Sequence, residues 1–191
     1  MTDGPAGEPH SDLPGPSPAP PPFFHIVLHQ PEIPNNTGNI GRTAVATGCG
    51  LHLIHPLGFD TGEKACRRAG LDYWPRLWKA EHASWESYLT RMTPQRLWLF
   101  TTKAPGTHHL FRARFEIGDH LIFGRETAGL PPAILEQFPD RRLYLPMVPG
   151  ERSLNLATAV CAAVYEGLRQ LVDRREATIS DGRLYRRWPR D

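Results

Sequence analysis

The sequence predicts an α/β protein built around a parallel sheet, and three observations carry that expectation. Apolar runs of strand length recur at residues 23–29, 51–55, 96–101, 121–123 and 143–145. Helix-patterned stretches accompany them, PNNTGNIGRTAVAT after the first run and LATAVCAAVYEGLRQLV after the last. In the second of these, Ala157, Val160, Cys161, Val164, Leu168 and Leu171 recur at three-and-four spacing. The last two runs stop at Gly124 and Pro146, where the loops GRETAGLP and PMVPGERSLN open. Alternation of β, α and β with short links implies parallel strands joined by right-handed crossovers. Glycine- and proline-rich loops at strand ends offer backbone N–H and C=O groups without side-chain obstruction, and open α/β sheets bind small ligands there. A ligand crevice is therefore expected at Gly124 and across residues 146–155.

Composition narrows the class. A chain of 191 residues fits one domain with tails and is long enough for a proper core. With 40% hydrophobic and 22% charged residues, it has the make-up of a soluble globular protein. No apolar run approaches the ~20 residues that cross a bilayer, and the first residues lack a secretory pattern. Cys49, Cys66 and Cys161 are odd in number and far apart, and neither CxxC nor HExxH occurs. Neither a disulfide framework nor a metal site is expected, and a reducing cytoplasm fits. A net charge of +2 does not identify a nucleic-acid partner, so an RNA surface would have to be a local patch.

The elements follow in order. Residues 1–22 hold eight prolines and are expected to be a disordered, solvated tail. Residues 23–29 form the first strand. Pro31 and Pro34 hold the next stretch extended, Asn35, Asn36 or Thr37 caps a helix, and Gly48 or Gly50 ends it. On that helix Gly38 and Gly41 leave room for a nucleotide, and Asn36 and Asn39 either cap or orient. Residues 61–70 have the content of a short helix bearing Lys64, Arg67 and Arg68. The following LDYWPRLWK interleaves aromatic and basic residues, a pattern that suits RNA; for Trp74 and Trp78 a place in a core or dimer face is the favoured reading. Ser84 caps a short helix to Met92, a strand follows at 96–101, and TKAPGTHH reads as a polar loop. His52 and His55 read as surface or satisfied residues, because no third ligand falls at a metal spacing. Residues 173–191 carry six arginines and read as a basic tail, either RNA-holding or idle.

Three stretches also carry a family resemblance. LIFGRETAGLP, LPMVPGERSLNLATAVCAAVYE and PEIPNNTGNIGRTAVATG resemble the motifs of the SPOUT class of RNA methyltransferases. Their order and wording are most similar to the small tRNA 2′-O-methyltransferases of the TrmL (YibK) type, which act on the wobble ribose. The resemblance spans about residues 24–171, and three motifs in order are far more specific than a lone GxxTxGLP. It implies a single SPOUT (α/β knot) domain over residues 23–172, a C-terminal trefoil knot, S-adenosylmethionine as cofactor, tRNA as substrate and a homodimer. It implies cofactor contacts from Phe100, Gly124, Leu145 and Ser153, with Glu126 on the cofactor ribose or paired with Arg125. Asn155 shares with Ser153 the choice between site and helix cap. Lys64, Arg67, Arg68 and Tyr165 are the RNA-binding candidates, Tyr165 having core packing as its alternative.

By the same resemblance, Arg42, with Asn36 and Asn39 beside it, is the candidate for activating the ribose 2′-OH. A guanidinium stays protonated in proteins, so the expected role is electrostatic, on the phosphate and developing alkoxide. Arg125 stands where the relatives' pattern has proline. The same chemistry on another tRNA position or on rRNA stays open, as does a non-catalytic RNA-binding module with a vestigial pocket. A nicotinamide-binding fold is disfavoured, because PNNTGNIG lacks GxGxxG spacing.

Overall fold

The computed structural model describes residues 21–61, 71–103 and 107–187. Its elements run β1 (His25–His29), α1 (Pro34–Thr47), β2 (Gly50–Ile54), β3 (Lys79–His82), α2 (Trp85–Met92), β4 (Leu97–Phe100), β5 (His108–His109), β6 (His120–Phe123), α3 (Pro132–Gln137), β7 (Arg142–Tyr144), α4 (Leu156–Asp173), β8 (Ala177–Ser180) and β9 (Arg183–Arg186). The first seven strands form one sheet in the order β3-β2-β1-β6-β4-β7-β5. Every neighbouring pair in it is parallel.

The central strands are apolar on both sides because both sides are covered. Ile26, Leu28, Leu51, Leu53 and Leu121 face α1 and α4, where Ile40, Ala44, Val160, Val164, Leu168 and Leu171 complete one core. Val27, Ile54, Leu97, Leu99 and Ile122 face the other way, against Trp85 and Tyr88 of α2 and Ile134 and Leu135 of α3. A Cβ on Gly167 would lie 2.7 Å from the Phe24 ring, so glycine is what lets α4 lie this close to the sheet. Below β6, buried Asp119 accepts from Arg96 Nε at 2.7 Å and Trp98 Nε1 at 2.8 Å.

Several expectations hold at the level of single caps. Ser84 accepts from Ser87 N–H at the start of α2, and Gly48, at φ 66°, ends α1 in the left-handed region. Trp74 is a core residue, while Trp78 is half exposed and meets His25 and His52 edge-on.

Others fail for physical reasons. β3 (KAEH) was not legible as a strand, because it is a largely uncovered edge with polar residues. The polar loop expected at TKAPGTHH ends instead in the two-residue edge strand β5. Within the stretch read as a basic tail, β8 and β9 pair as an antiparallel hairpin. Its turn is Asp181–Gly182, with φ of 50° and 70°, the two-residue geometry in which Asp-Gly excels. Ala177 is buried, which fastens the hairpin to the body. Residues 62–70 of the helix expected at 61–70, with Lys64, Arg67 and Arg68, and the N-terminal tail through residue 20 lie outside the described residues.

Candidate active site

A cavity of about 600 Å³ opens at the carboxyl ends of β4, β6 and β7. All six residues expected around a cofactor line it: Phe100, Gly124, Glu126, Leu145, Ser153 and Asn155, together with Asn36 from α1. Phe100 and Phe123 stack at its base, with ring centres 4.4 Å apart and planes 11° from parallel. Thr101, Lys103 and Arg152 add polar and cationic groups to the wall. Three loops far apart in sequence meet here because their parent strands are neighbours in the sheet.

Glu126 has a role that neither sequence expectation gave it. Its carboxylate accepts from the backbone N–H of Glu32 at 2.9 Å and of Ile33 at 3.3 Å, and from Asn36 Nδ2 at 3.0 Å. It does not pair with Arg125, whose guanidinium bonds Gln30 Oε1. The cause lies in α1, which begins at Pro34 with no side-chain cap of its own. An exposed helix start needs acceptors and favours negative charge, and Glu126 provides both from 90 residues away in sequence. Glu32 reciprocates, accepting from Thr127 N–H at 3.1 Å and from its hydroxyl at 2.8 Å. These two hydrogen bonds hold the Glu32 carboxyl below the ordinary carboxylate range.

Asn36 therefore caps nothing. It is buried inside α1 and links two loops, donating to Glu126 and accepting from Asn155 Nδ2 at 2.9 Å. Asn155 is the cap of α4, its Oδ1 accepting from Ala157 and Thr158 N–H at 2.9 and 3.3 Å. Ser153 is exposed on the cavity wall and plays no capping part. Glu32 escaped sequence reasoning because its partner stands 95 residues away.

The glycines have packing roles that the sequence did not show. A Cβ on Gly124 would lie 2.1 Å from the Gly129 carbonyl carbon and 2.2 Å from Leu130 N. Gly124 thus admits the chain's own returning loop, closed by the Arg125–Gly129 bridge. On α1, a Cβ on Gly41 would lie 2.9 Å from the Trp74 ring, and one on Gly38 would lie 3.3 Å from Leu71. The room expected there for a nucleotide is filled by residues 71–77.

Arg42 and Asn39 lie on the exposed side of α1 and do not line this cavity. The Arg42 guanidinium sits 4.7 Å above the Tyr73 ring, a cation–π contact, and no carboxylate among the described residues pairs with it. Tyr165 is 57% exposed, so core packing is not its role. It borders a second groove between the end of α1, α4 and the β8–β9 hairpin, lined also by Leu168, Ile179 and Tyr185.

The histidines gather as sequence spacing could not show. His25, His52 and His120, from three adjacent strands, bring ring nitrogens within 4.8 Å of one another. His25 Nδ1 lies 2.9 Å from His52 Nε2, His52 Nδ1 lies 3.0 Å from His82 Nε2, and Tyr88 Oη bonds His120 Nδ1. The His25 and His120 rings stack, with centres 4.2 Å apart and planes 10° from parallel. Their in-plane lone pairs therefore run side by side and do not converge on one ion, as metal ligation requires. This is a hydrogen-bonded core network, and burial pushes His25 down to about 4, His120 to about 3 and His52 to about 2.

An all-parallel sheet with a loop-built cavity at its carboxyl ends defines a small-ligand-binding α/β protein. Comparison with known proteins gives the family. The chain belongs to the SpoU rRNA methylase family, which it matches over residues 23–165. It is 49% identical over 150 residues to the tRNA (cytidine(34)-2'-O)-methyltransferase of Saccharophagus degradans, covering 78% of this chain and 96% of that one. A solved structure described as giving structural insights into the 2-OH methylation of C/U34 on tRNA is 47% identical, with a TM-score of 0.72 over 79% of this chain and 97% of that one. The SpoU methyltransferase AviRb of Streptomyces viridochromogenes, in complex with AdoMet, is 27% identical, with a TM-score of 0.66 over 82% of this chain and 63% of that one.

Proposed function

We propose that this chain is an S-adenosylmethionine-dependent methyltransferase acting on the ribose 2′-OH of the wobble nucleotide, position 34, of tRNA. The observation that carries the reading is the convergence of Phe100, the Gly124–Glu126 loop and the Leu145–Asn155 loop on one cavity. The names of the similar proteins supply the substrate and the position.

The residues present suit the cofactor. About 600 Å³ falls in the range of small-molecule sites. Stacked Phe100 and Phe123, with Leu145 and Leu156, offer apolar surface for a base. Thr101, Ser153 and Lys103 offer polar groups to the sugar and amino-acid portions. The bound cofactor supplies an electrophilic sulfonium methyl. The protein's share is alignment, which can lower a barrier by several kcal/mol, and stabilisation of charge on the attacking oxygen. The Glu126–Asn36–Asn155 network fixes the relative positions of α1 and both cavity loops. Arg42, held over Tyr73, stabilises the developing alkoxide and its phosphate as a permanent cation.

Because Arg42 lies outside the cavity of its own chain, the reading includes a homodimer in which Arg42 faces the partner's cavity. Lys64, Arg67, Arg68 and Tyr165 would hold the tRNA. A trefoil knot after Phe100 and a cytoplasmic location belong to the same proposal. No helix among the described residues is long and apolar enough to cross a membrane.

The test is transfer of labelled methyl from S-adenosylmethionine to separated tRNA and rRNA from cells lacking the gene. Label in tRNA alone is expected. Label confined to rRNA would move the activity to another substrate, and no label with the cofactor bound would leave only a binding module.

A further inference from the structure

Beyond the cavity, the far edge of the sheet carries an aromatic and basic strip. β5 is the edge strand beside β7, and its register sets His109 opposite Tyr144, which lines the cavity. The rings continue outward from there: Tyr144 to His109 at 6.4 Å, then His109 to Phe111 at 6.0 Å. Phe111 ends the series at 66% exposure. Arg112 and Arg114 beside it are also exposed.

The backbone beneath is firmly held. Leu110, Ala113 and Phe115 are buried. Gln170 of α4 accepts from Phe115 N–H at 3.0 Å and donates to Ala113 C=O at 2.9 Å, while Arg174 donates to Phe115 C=O at 2.5 Å. Phe111 is thus presented to solvent from an anchored segment. The charge is uncompensated too. The nearby acids Glu116 and Asp119 are engaged by Arg96, and no described carboxylate pairs with Arg112 or Arg114.

We propose that Phe111, Arg112 and Arg114 form an RNA-gripping shelf, on which a base next to the target nucleotide stacks on Phe111 while the two arginines hold the backbone phosphates. The proposal rests on the methyltransferase reading and extends it to specific substrate contacts. An exposed aromatic followed by two exposed arginines, neither paired with a carboxylate among the described residues, matches single-stranded RNA, which offers π-faces and phosphates. A protein-docking face would instead be a contiguous apolar patch.

Full-length wild-type, Phe111→Ser, Phe111→Trp and Arg112→Gln/Arg114→Gln proteins are compared for tRNA Kd at several salt concentrations, cofactor Kd and sedimentation. Loss of one stacked base predicts a tRNA Kd raised roughly 5- to 150-fold in Phe111→Ser, with its salt slope unchanged and affinity recovered in Phe111→Trp. The double arginine variant flattens the salt slope by roughly one to two units. Cofactor Kd and oligomeric state stay at wild-type values. A tRNA Kd for Phe111→Ser within twofold of wild type overturns the shelf, and so does a change of oligomeric state, which would make Phe111 a subunit contact. Failure of the wild-type protein to methylate any tRNA would instead sink the underlying reading.

Discussion

Removing the Glu126 carboxylate separates two accounts of that residue. Glu126→Ala strips the acceptor shared by Glu32 N–H, Ile33 N–H and Asn36 Nδ2, at the start of a helix whose own N-cap residue makes no side-chain cap bond. A hydrogen bond to a charged group contributes roughly 1.5–3 kcal/mol. Glu126 is half-buried, so water partly replaces what is lost, and a total near 2–3 kcal/mol follows. For a protein of this size 1 kcal/mol moves Tm by roughly 2–4 °C, which gives a fall of about 4–12 °C without any ligand. Differential scanning calorimetry of the ligand-free variant measures this directly, alongside calorimetric titration of S-adenosylmethionine. Glu126→Gln, which keeps one oxygen but not the charge, falls between. An unchanged ligand-free Tm with cofactor affinity lowered tenfold or more would instead mean that Glu126 acts on the cofactor ribose and not on the fold.

Further outcomes follow from other contacts. Gly124→Ala sets a Cβ against the Gly129–Leu130 backbone and costs about 3 kcal/mol as overpacking; an unaltered urea midpoint with intact cofactor binding would contradict this. His25, His52 and His120 have folded pKa values below their ordinary one, so the unfolded chain takes up protons first as pH falls through about 6.5. Stability is therefore complete above that pH and declines toward the folded values near 4 and below, and equal urea midpoints at pH 7.5 and 5 would exclude it. Arg42→Ala loses most single-turnover rate at saturating tRNA while the cofactor still binds, and Arg42→Lys recovers little, lacking the planar fork. A near wild-type rate for Arg42→Ala would reduce Arg42 to a phosphate anchor.

Much of the fold was legible in the sequence, and the exceptions have a common cause. Strands covered on both faces, such as β1 and β2, are nearly continuous apolar runs and announce themselves. β3 and β5 lie at the two sheet edges, so their side chains need not be apolar and the signal vanishes. The β8–β9 hairpin did leave a signal, Asp181–Gly182 between alternating residues, which the surrounding arginines obscured. In the site, all six positions expected around a cofactor came from motif wording, and they line one cavity. What the sequence withheld is pairwise: the Glu126 and Asn36 bond across 90 residues, the Asn36 and Asn155 bond across 119, and the histidine network across four strands. Local pattern reports what a residue prefers, whereas these contacts depend on which strands become neighbours. The same limit explains Gly38 and Gly41, whose small size was evident but whose occupants, Leu71 and Trp74, were not.

Methylation of the position-34 ribose is read out by incubating purified tRNA from a strain lacking the enzyme with the protein and S-adenosylmethionine, then mapping ribonuclease fragments by mass spectrometry. One added methyl is expected, on the ribose of cytidine or uridine 34, and none when that nucleotide carries a 2′-deoxyribose. Methylation of a base, or of a ribose elsewhere in the tRNA with position 34 untouched, would contradict it.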